Sequence, residues 1–307
     1  MNIYYLLLLP IILSSFFQEF FKKKFQNERD EHKNMPSVLL YSLTLTGASS
    51  VCLFVLWAVN GFENILYSTT IILAVAFAIL YVIATIYSLL ALFCGPFALT
   101  ALILSYSLIL PTAYGLIFYS GGSAPSMFVI SGIILMCISL FLVRSKSGKG
   151  SVKITKKWVF YSLTAFVTNG TLNILQTVHN EENAKRSITV EPYIFMLWSM
   201  FLVFISFAVI SAIYLKKNKN NGLGLPNTKS LLKFGSATGV SNTVLNVLVL
   251  TVNGIYIPAF ILFPLMSVGQ LTLIFFVSVL LFKERYSTSQ YVGYFLGMAS
   301  VVLLNLG

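Results

Sequence analysis

Long apolar runs separated by short polar segments dominate the pattern of this chain. A membrane-spanning helix needs about 20 mostly apolar residues to cross a hydrocarbon core of roughly 30 Å. Strands of a membrane barrel instead alternate apolar and polar residues over about ten positions, which these continuous runs do not. Ten segments meet the helical criterion: 2–21, 36–59, 66–92, 97–118, 125–143, 158–178, 192–215, 230–252, 257–282 and 289–306. The pattern therefore predicts an all-α membrane protein of about ten transmembrane helices.

The composition supports a membrane environment. Hydrophobic residues make up 57% of the chain and charged residues only 9%, whereas soluble domains carry about 25% charged residues. So few charges cannot cover a surface in water. The net charge of +11 lies in short runs between apolar segments, which is typical of orientation signals and of contacts with anionic lipid headgroups. We therefore expect the lipid bilayer, and not nucleic acid, as the partner of these charges.

The basic residues also predict an orientation. Nearly all of them follow the first, fifth, seventh and ninth helices, and the opposite side holds only Lys185 and Arg186. The positive-inside rule places the basic side in the cytoplasm and both termini outside.

A basic linker divides the helices into two sets of five. The linker covers 144–157, between a first repeat at 1–143 and a second repeat at 158–307. Halves with an odd number of helices insert in opposite orientations, so the division predicts an inverted repeat. When the last two helices of each half are aligned, Gly132 falls on Gly293.

The segment 263–306 carries a family resemblance. A long apolar helix ends in Lys283-Glu284-Arg285, a Ser-x-x-Gln start follows at 287–290, and the last helix carries Gly293 and Gly297. This arrangement resembles the end of an EamA-type repeat of the drug/metabolite transporter superfamily. The resemblance implies a ten-helix, two-repeat fold with a central cavity and activity as a metabolite transporter or exporter. The corresponding turn of the first half, 121–124, lacks the acidic-basic motif. Members of that family commonly keep both termini in the cytoplasm, opposite to the orientation that the charges predict.

Polar side chains inside the predicted helices are the candidate binding groups. Three amides of the sixth helix follow i, i+4, i+7 spacing and so share one face, and two amides of the eighth helix lie four residues apart. They can line a cavity or can hold helices together through hydrogen bonds. The predicted lining residues, with two tyrosines as stacking surfaces, are Asn169, Asn173, Gln176, Asn242, Asn246, Gln270, Tyr106 and Tyr114.

Two carboxylates have alternative interpretations. Glu19 is the one carboxylate inside a predicted span, close to Lys22 and Lys23. It can form an ion pair that reaches the membrane surface, or it can couple transport to protons, because burial favours the neutral form of a carboxyl. The neighbouring residue, Gln18, approximately matches Gln176 of the second half. Glu284, at a helix end, is interpreted as an interfacial ion pair that fixes the last turn, with a direct part in transport as the alternative.

Two Gly-x-x-x-Gly pairs predict close helix contacts. They are Gly235 with Gly239, and Gly293 with Gly297. Small residues four apart allow helices to approach closely in lipid. Packing within the monomer, dimerisation and cavity lining are all compatible with this pattern.

Enzymatic and channel functions have no support in the sequence. His32 and His179 fall on opposite predicted sides of the membrane, so they cannot share a catalytic or metal site. Nucleophile-elbow, zinc-protease, phosphate-loop and selectivity-filter motifs are absent from the sequence. We therefore expect no enzyme activity, no cofactor and no metal. A membrane receptor or scaffold without transport, or a polytopic enzyme, is the alternative function.

The predicted function is secondary transport. Because the sequence has no nucleotide-binding motif, a solute or ion gradient must drive alternating access. No charged side chain is predicted near the bilayer midplane, so the amides and hydroxyls suit a neutral or zwitterionic polar metabolite. We expect a monomer or homodimer in the cell (inner) membrane.

Overall fold

The computed structural model describes residues 6–28, 34–62, 67–108, 110–111, 114, 127–143, 155–186, 190–218, 225–252 and 259–304. These ranges contain ten α-helices and no strand. In chain order the helices are α1 (Leu8–Glu28), α2 (Met35–Val59), α3 (Ser68–Cys94), α4 (Phe97–Ser105), α5 (Met127–Val143), α6 (Lys156–Ala184), α7 (Pro192–Lys217), α8 (Thr228–Val252), α9 (Ala259–Leu280) and α10 (Thr288–Leu304). The all-α prediction is confirmed, and the number of helices agrees with it.

Several helices begin and end where local sequence signals require. The side chain of Asn34 accepts a hydrogen bond from the Ser37 amide at 2.9 Å at the start of α2, and Pro36 occupies the first turn. Thr155 caps α6 in the same way through the Trp158 amide, at 3.2 Å. The α3–α4 break lies at Gly95, whose backbone is extended.

The outer faces of the helices suit a bilayer. Within the described ranges, α2, α3, α7 and α8 are four helices long and apolar enough to cross a membrane. Large apolar side chains such as Phe54, Ile72 and Ile213 are exposed on these helices. Such apolar surface is unfavourable in water and favourable against lipid. These helices support insertion into a membrane.

The helices of the first five pack mainly on helices of the last five. The most extensive contacts pair α1 with α8, α2 with both α7 and α8, α3 with α6, and α5 with α10, and α4 packs mainly on α9. A central region is therefore enclosed jointly by early and late helices.

The glycines of both Gly-x-x-x-Gly pairs lie at helix crossings inside the monomer. A Cβ atom at Gly239 of α8 would lie 2.7 Å from the Cβ of Ala48 on α2, and Gly235 faces Thr44 of the same helix. On α10, Ser139 of α5 donates a hydrogen bond of 2.7 Å to the carbonyl of Gly293. Gly297 is similarly packed, since a Cβ there would lie 2.7 Å from the Ser139 hydroxyl. Because glycine has no side chain, these positions allow α2 to pack closely against α8 and α5 against α10.

Candidate functional site

A polar cavity of about 190 Å³ lies among α1, α3, α4, α6, α8 and α9. A single water needs roughly 10–15 Å³ in the same measure, so the cavity can hold a small organic molecule. Six of its lining residues are the amides predicted from the sequence: Asn169, Asn173, Gln176, Asn242, Asn246 and Gln270. The structure brings them together in one site.

The two tyrosines predicted as stacking surfaces lie elsewhere. Tyr106 is buried, shares a 2.7 Å hydrogen bond with the Ser139 hydroxyl and packs against α10. Tyr114 is half-buried, and neither residue lines the cavity. The described lining of the cavity therefore includes neither tyrosine. The aromatic groups in the described cavity wall are Phe77 and Tyr81 of α3. They were missed because the sequence of an apolar helix does not show which face points inward.

Three of the amides form an interhelical network. The hydroxyl of Tyr81 donates to Oδ1 of Asn242 at 3.0 Å, and the Asn246 amide donates to the same oxygen at 3.0 Å. Gln176 in turn donates to Oδ1 of Asn246 at 3.1 Å. The nitrogen of Asn242 completes the network by donating to the Ser49 hydroxyl at 3.3 Å. These amides line the cavity and also join α2, α3, α6 and α8.

The other three amides keep side-chain polar atoms that make no hydrogen bond to described residues. Asn173 makes no side-chain hydrogen bond to any described residue. Within the described residues, Asn169 donates only to the carbonyl of Ala165 on its own helix, at 2.8 Å, and Gln270 donates to the carbonyl of Ser15 at 3.2 Å. Because amide groups both donate and accept, their unused atoms can bind a polar solute.

A buried ion pair also lines the cavity. Nζ of Lys22 lies 2.6 Å from Oε1 of Glu19, and the side chains are only 10% and 13% exposed respectively. Oε2 of Glu19 has no hydrogen-bond partner within the described part of the chain. Glu19 is the carboxylate that the sequence predicted as a possible proton-coupling group, whereas Lys22 was not predicted to reach the site. Lys22 was left out because the first helix was predicted to end at residue 21, whereas α1 continues to Glu28 and Lys22 lines the cavity.

Gln18 is a further lining residue that the candidate set omitted. Its side chain is 9% exposed, and its amide nitrogen has no partner among the residues described. Its match to Gln176 in the second half was the one sequence signal that pointed to it.

A second buried charge cluster joins α1 to the α3–α4 break. Nζ of Lys23 lies 3.4 Å from the Leu92 carbonyl, 3.5 Å from the Gly95 carbonyl and 3.6 Å from Glu284. The carboxylate of Glu284 accepts the Phe97 amide at 2.9 and 3.0 Å, at the first turn of α4. A cation at the end of α3 and an anion at the start of α4 are both favoured by the helix dipoles. Glu284 therefore forms its ion pair with Lys23 of α1.

Tyr286 completes this cluster in the connection between α9 and α10. Its hydroxyl donates to the carboxylate of Glu284. Burial, reinforced by the neighbouring Glu284 carboxylate, raises the pKa of Tyr286, so the hydroxyl keeps its proton and remains a donor. No cluster of three or more metal-ligating side chains occurs in the ranges that the structure covers.

The sequence matches no protein-family profile and no curated protein significantly. The fold does occur in solved structures, since 28 chains match it. One crystal structure is similar over 96% of this chain and 98% of its own, with a TM-score of 0.59 and 12% sequence identity. At this identity the likeness shows the fold alone.

Proposed function

We propose that the protein is a secondary transporter or exporter of a small polar organic metabolite, working by alternating access and driven by a solute or ion gradient. One observation carries this proposal: an apolar bundle encloses a cavity lined by amides and one ion pair. Polar groups inside a membrane domain are costly and usually belong to a solute or ion pathway. The cell (inner) membrane is the proposed location.

The proposed architecture is two inverted five-helix repeats, as in EamA-type transporters. The helix contacts support it, because α1 contacts α8 as α6 contacts α3, while α2–α7, α4–α9 and α5–α10 pair equivalent helices. The cavity is also lined by equivalent sets, α1, α3 and α4 from one half and α6, α8 and α9 from the other. Transporters with inverted repeats bind their substrates at such repeat interfaces.

A flux measurement tests the function. The purified protein is reconstituted into liposomes that contain a mixture of labelled polar metabolites. The loss of each metabolite from the liposomes down its gradient is then measured without ATP. We expect Asn173→Leu to lower the flux by roughly tenfold or more, since one lost ligand hydrogen bond costs about 1–3 kcal/mol. Thr171→Leu is the matched control, because Thr171 lies on α6 and its hydroxyl bonds only its own helix.

Three outcomes separate the proposal from its alternatives. Folded wild-type protein that moves no metabolite of the mixture would favour the receptor or scaffold. Equal flux in both variants would show that Asn173 takes no part. Conversion of a metabolite during the assay would favour a polytopic enzyme.

A further inference from the structure

The ion pair makes the cavity electrically neutral. Lys22 and Glu19 are the only charged side chains among its described lining residues. A buried charge is tolerated only when it is paired, and an unpaired one costs several kcal/mol. A ligand of net charge would leave the site charged unless one member of the ion pair changed its protonation state.

Protonation of Glu19 would leave the ammonium of Lys22 without its counter-ion. A neutral Glu19 no longer balances the ammonium of Lys22, which then requires another anion. A monoanionic solute supplies that charge, so the site is neutral in both states: an ionised pair when empty, and a protonated Glu19 with Lys22 and the anion when occupied.

The hydrogen-bond donors around Lys22 fit an anionic oxygen group. An ammonium has three N–H donors, and the 2.6 Å contact to Oε1 of Glu19 uses one of them. The amide nitrogen of Gln18 lacks a partner in the described residues, and its side chain lines the same wall. A carboxylate has two oxygens that can accept from these donors.

The described lining of the cavity contains no second carboxylate beside Glu19. Among the described lining residues, the other titratable groups are the ammonium of Lys22 on α1 and the hydroxyl of Tyr81 on α3. The cavity-facing polar groups of α8 and α9 are amides and hydroxyls, which do not titrate. In the described wall of the cavity, Glu19 is therefore the one carboxylate.

We propose that the cavity binds a small organic monocarboxylate together with one proton, with Lys22 and Gln18 holding the carboxylate and Glu19 accepting the proton. The inference rests on the proposed transport function and names its substrate class. One negative and one positive charge cross together, so transport is electroneutral.

Binding and uptake of matched solutes test this assignment. The probes are glycerate, its neutral analogue glyceramide, and serine, which replaces one hydroxyl of glycerate by an ammonium; glycolate and lactate extend the acid series. We expect the acids to raise the unfolding temperature of the detergent-purified protein more at low than at neutral pH. An inward proton gradient should drive their uptake into liposomes, without response to membrane potential.

Variants separate the two roles. Lys22→Gln should weaken acid binding by roughly tenfold or more, because it removes one partner of a buried charge pair. Lys22→Arg should restore part of it. Glu19→Gln imitates the protonated state, so it should bind the acids independently of pH and exchange them, yet lose proton-driven accumulation. Lys24→Gln is the control, since Lys24 is exposed and lies over the ring of Phe20.

The double variant Glu19→Gln/Lys22→Gln addresses folding. It leaves no unpaired charge, so it should fold and fail to bind the acids at any pH. Tight acid binding by this variant, or equal preference of the wild type for serine or glyceramide, would overturn the inference. If no acid binds while another metabolite crosses in the flux measurement, the substrate class is wrong and the transporter proposal stands. If no metabolite crosses either, both fail.

Discussion

At the residue scale, identical side chains have different duties in this cavity. Asn242 accepts from Tyr81 and donates to Ser49, so its amide is used by neighbouring helices. Asn173 lines the same cavity and has no side-chain hydrogen bond within the described ranges. The sequence analysis treated both as equivalent lining residues with interhelical bonding as the alternative. The contacts show that Asn242 both lines the cavity and bonds to neighbouring helices.

Substitution of these two residues should therefore have different effects. Asn242→Leu removes the acceptor of the half-buried Tyr81 hydroxyl and the donor to the buried Ser49 hydroxyl, so we expect a loss of roughly 1–3 kcal/mol in unfolding free energy. Asn173→Leu should change stability by less than about 0.5 kcal/mol and affect flux instead. Thermal unfolding in detergent measures the first effect, and liposome flux measures the second. Equal stability of both variants would show that the Asn242 network contributes nothing to folding.

At the scale of helices, the break between α3 and α4 is stabilised by partners distant in sequence. Lys23 of α1 lies against the last carbonyls of α3, and Glu284, beyond α9, accepts the first amide of α4. The Gly95-Pro96 sequence explains why a helix ends there. It contains nothing that indicates which charges satisfy the two helix ends.

Removal of either charge should destabilise the protein. Lys23→Gln or Glu284→Gln leaves an uncompensated buried charge, which costs roughly 3–5 kcal/mol. The double variant should cost less than the sum of the two, and a double-mutant cycle of unfolding free energies measures the difference. Lys283→Gln is the control beside Glu284, because that lysine is exposed. Strict additivity would show that Lys23 and Glu284 do not interact.

Helix contact at Gly239 makes a separate prediction. In Gly239→Ala the new methyl group would lie 2.7 Å from Ala48 and 3.1 Å from the Ser49 amide. The helices must then separate, and overpacking of this kind costs about 1–3 kcal/mol. Val240→Ala, on the exposed side of α8, should have a smaller effect. If Gly239→Ala instead dissociates a dimer and leaves monomer unfolding unchanged, the glycines belong to an interface between copies.

At the scale of the whole molecule, exposed apolar residues around a polar internal cavity match a protein embedded in lipid. The basic residues determine the expected orientation. A reporter fused after Gly307 should be extracytoplasmic, and a reporter inserted in the linker 144–157 should be cytoplasmic. The inverse result for both would favour the orientation that the EamA-type resemblance implies.

The sequence by itself determined the properties that depend on local pattern. Hydrophobic length located α2 and α7 to within two residues, because transfer of apolar side chains into lipid does not depend on tertiary partners. Helical periodicity placed Asn169, Asn173 and Gln176 on one face, and that face lines the cavity.

Only the tertiary structure decided where charged and aromatic side chains point. Hydropathy assigned Lys22 and Lys23 to water, yet Glu19, Glu284 and the α3 carbonyls hold both lysines inside the protein. The tertiary structure also places Tyr81 in the cavity wall, whereas Tyr106 bonds to Ser139. The physical reason is that a buried charge or hydroxyl depends on its partner, and these partners come from helices far away in the chain. Periodicity defines the face of a helix, whereas packing decides what that face meets.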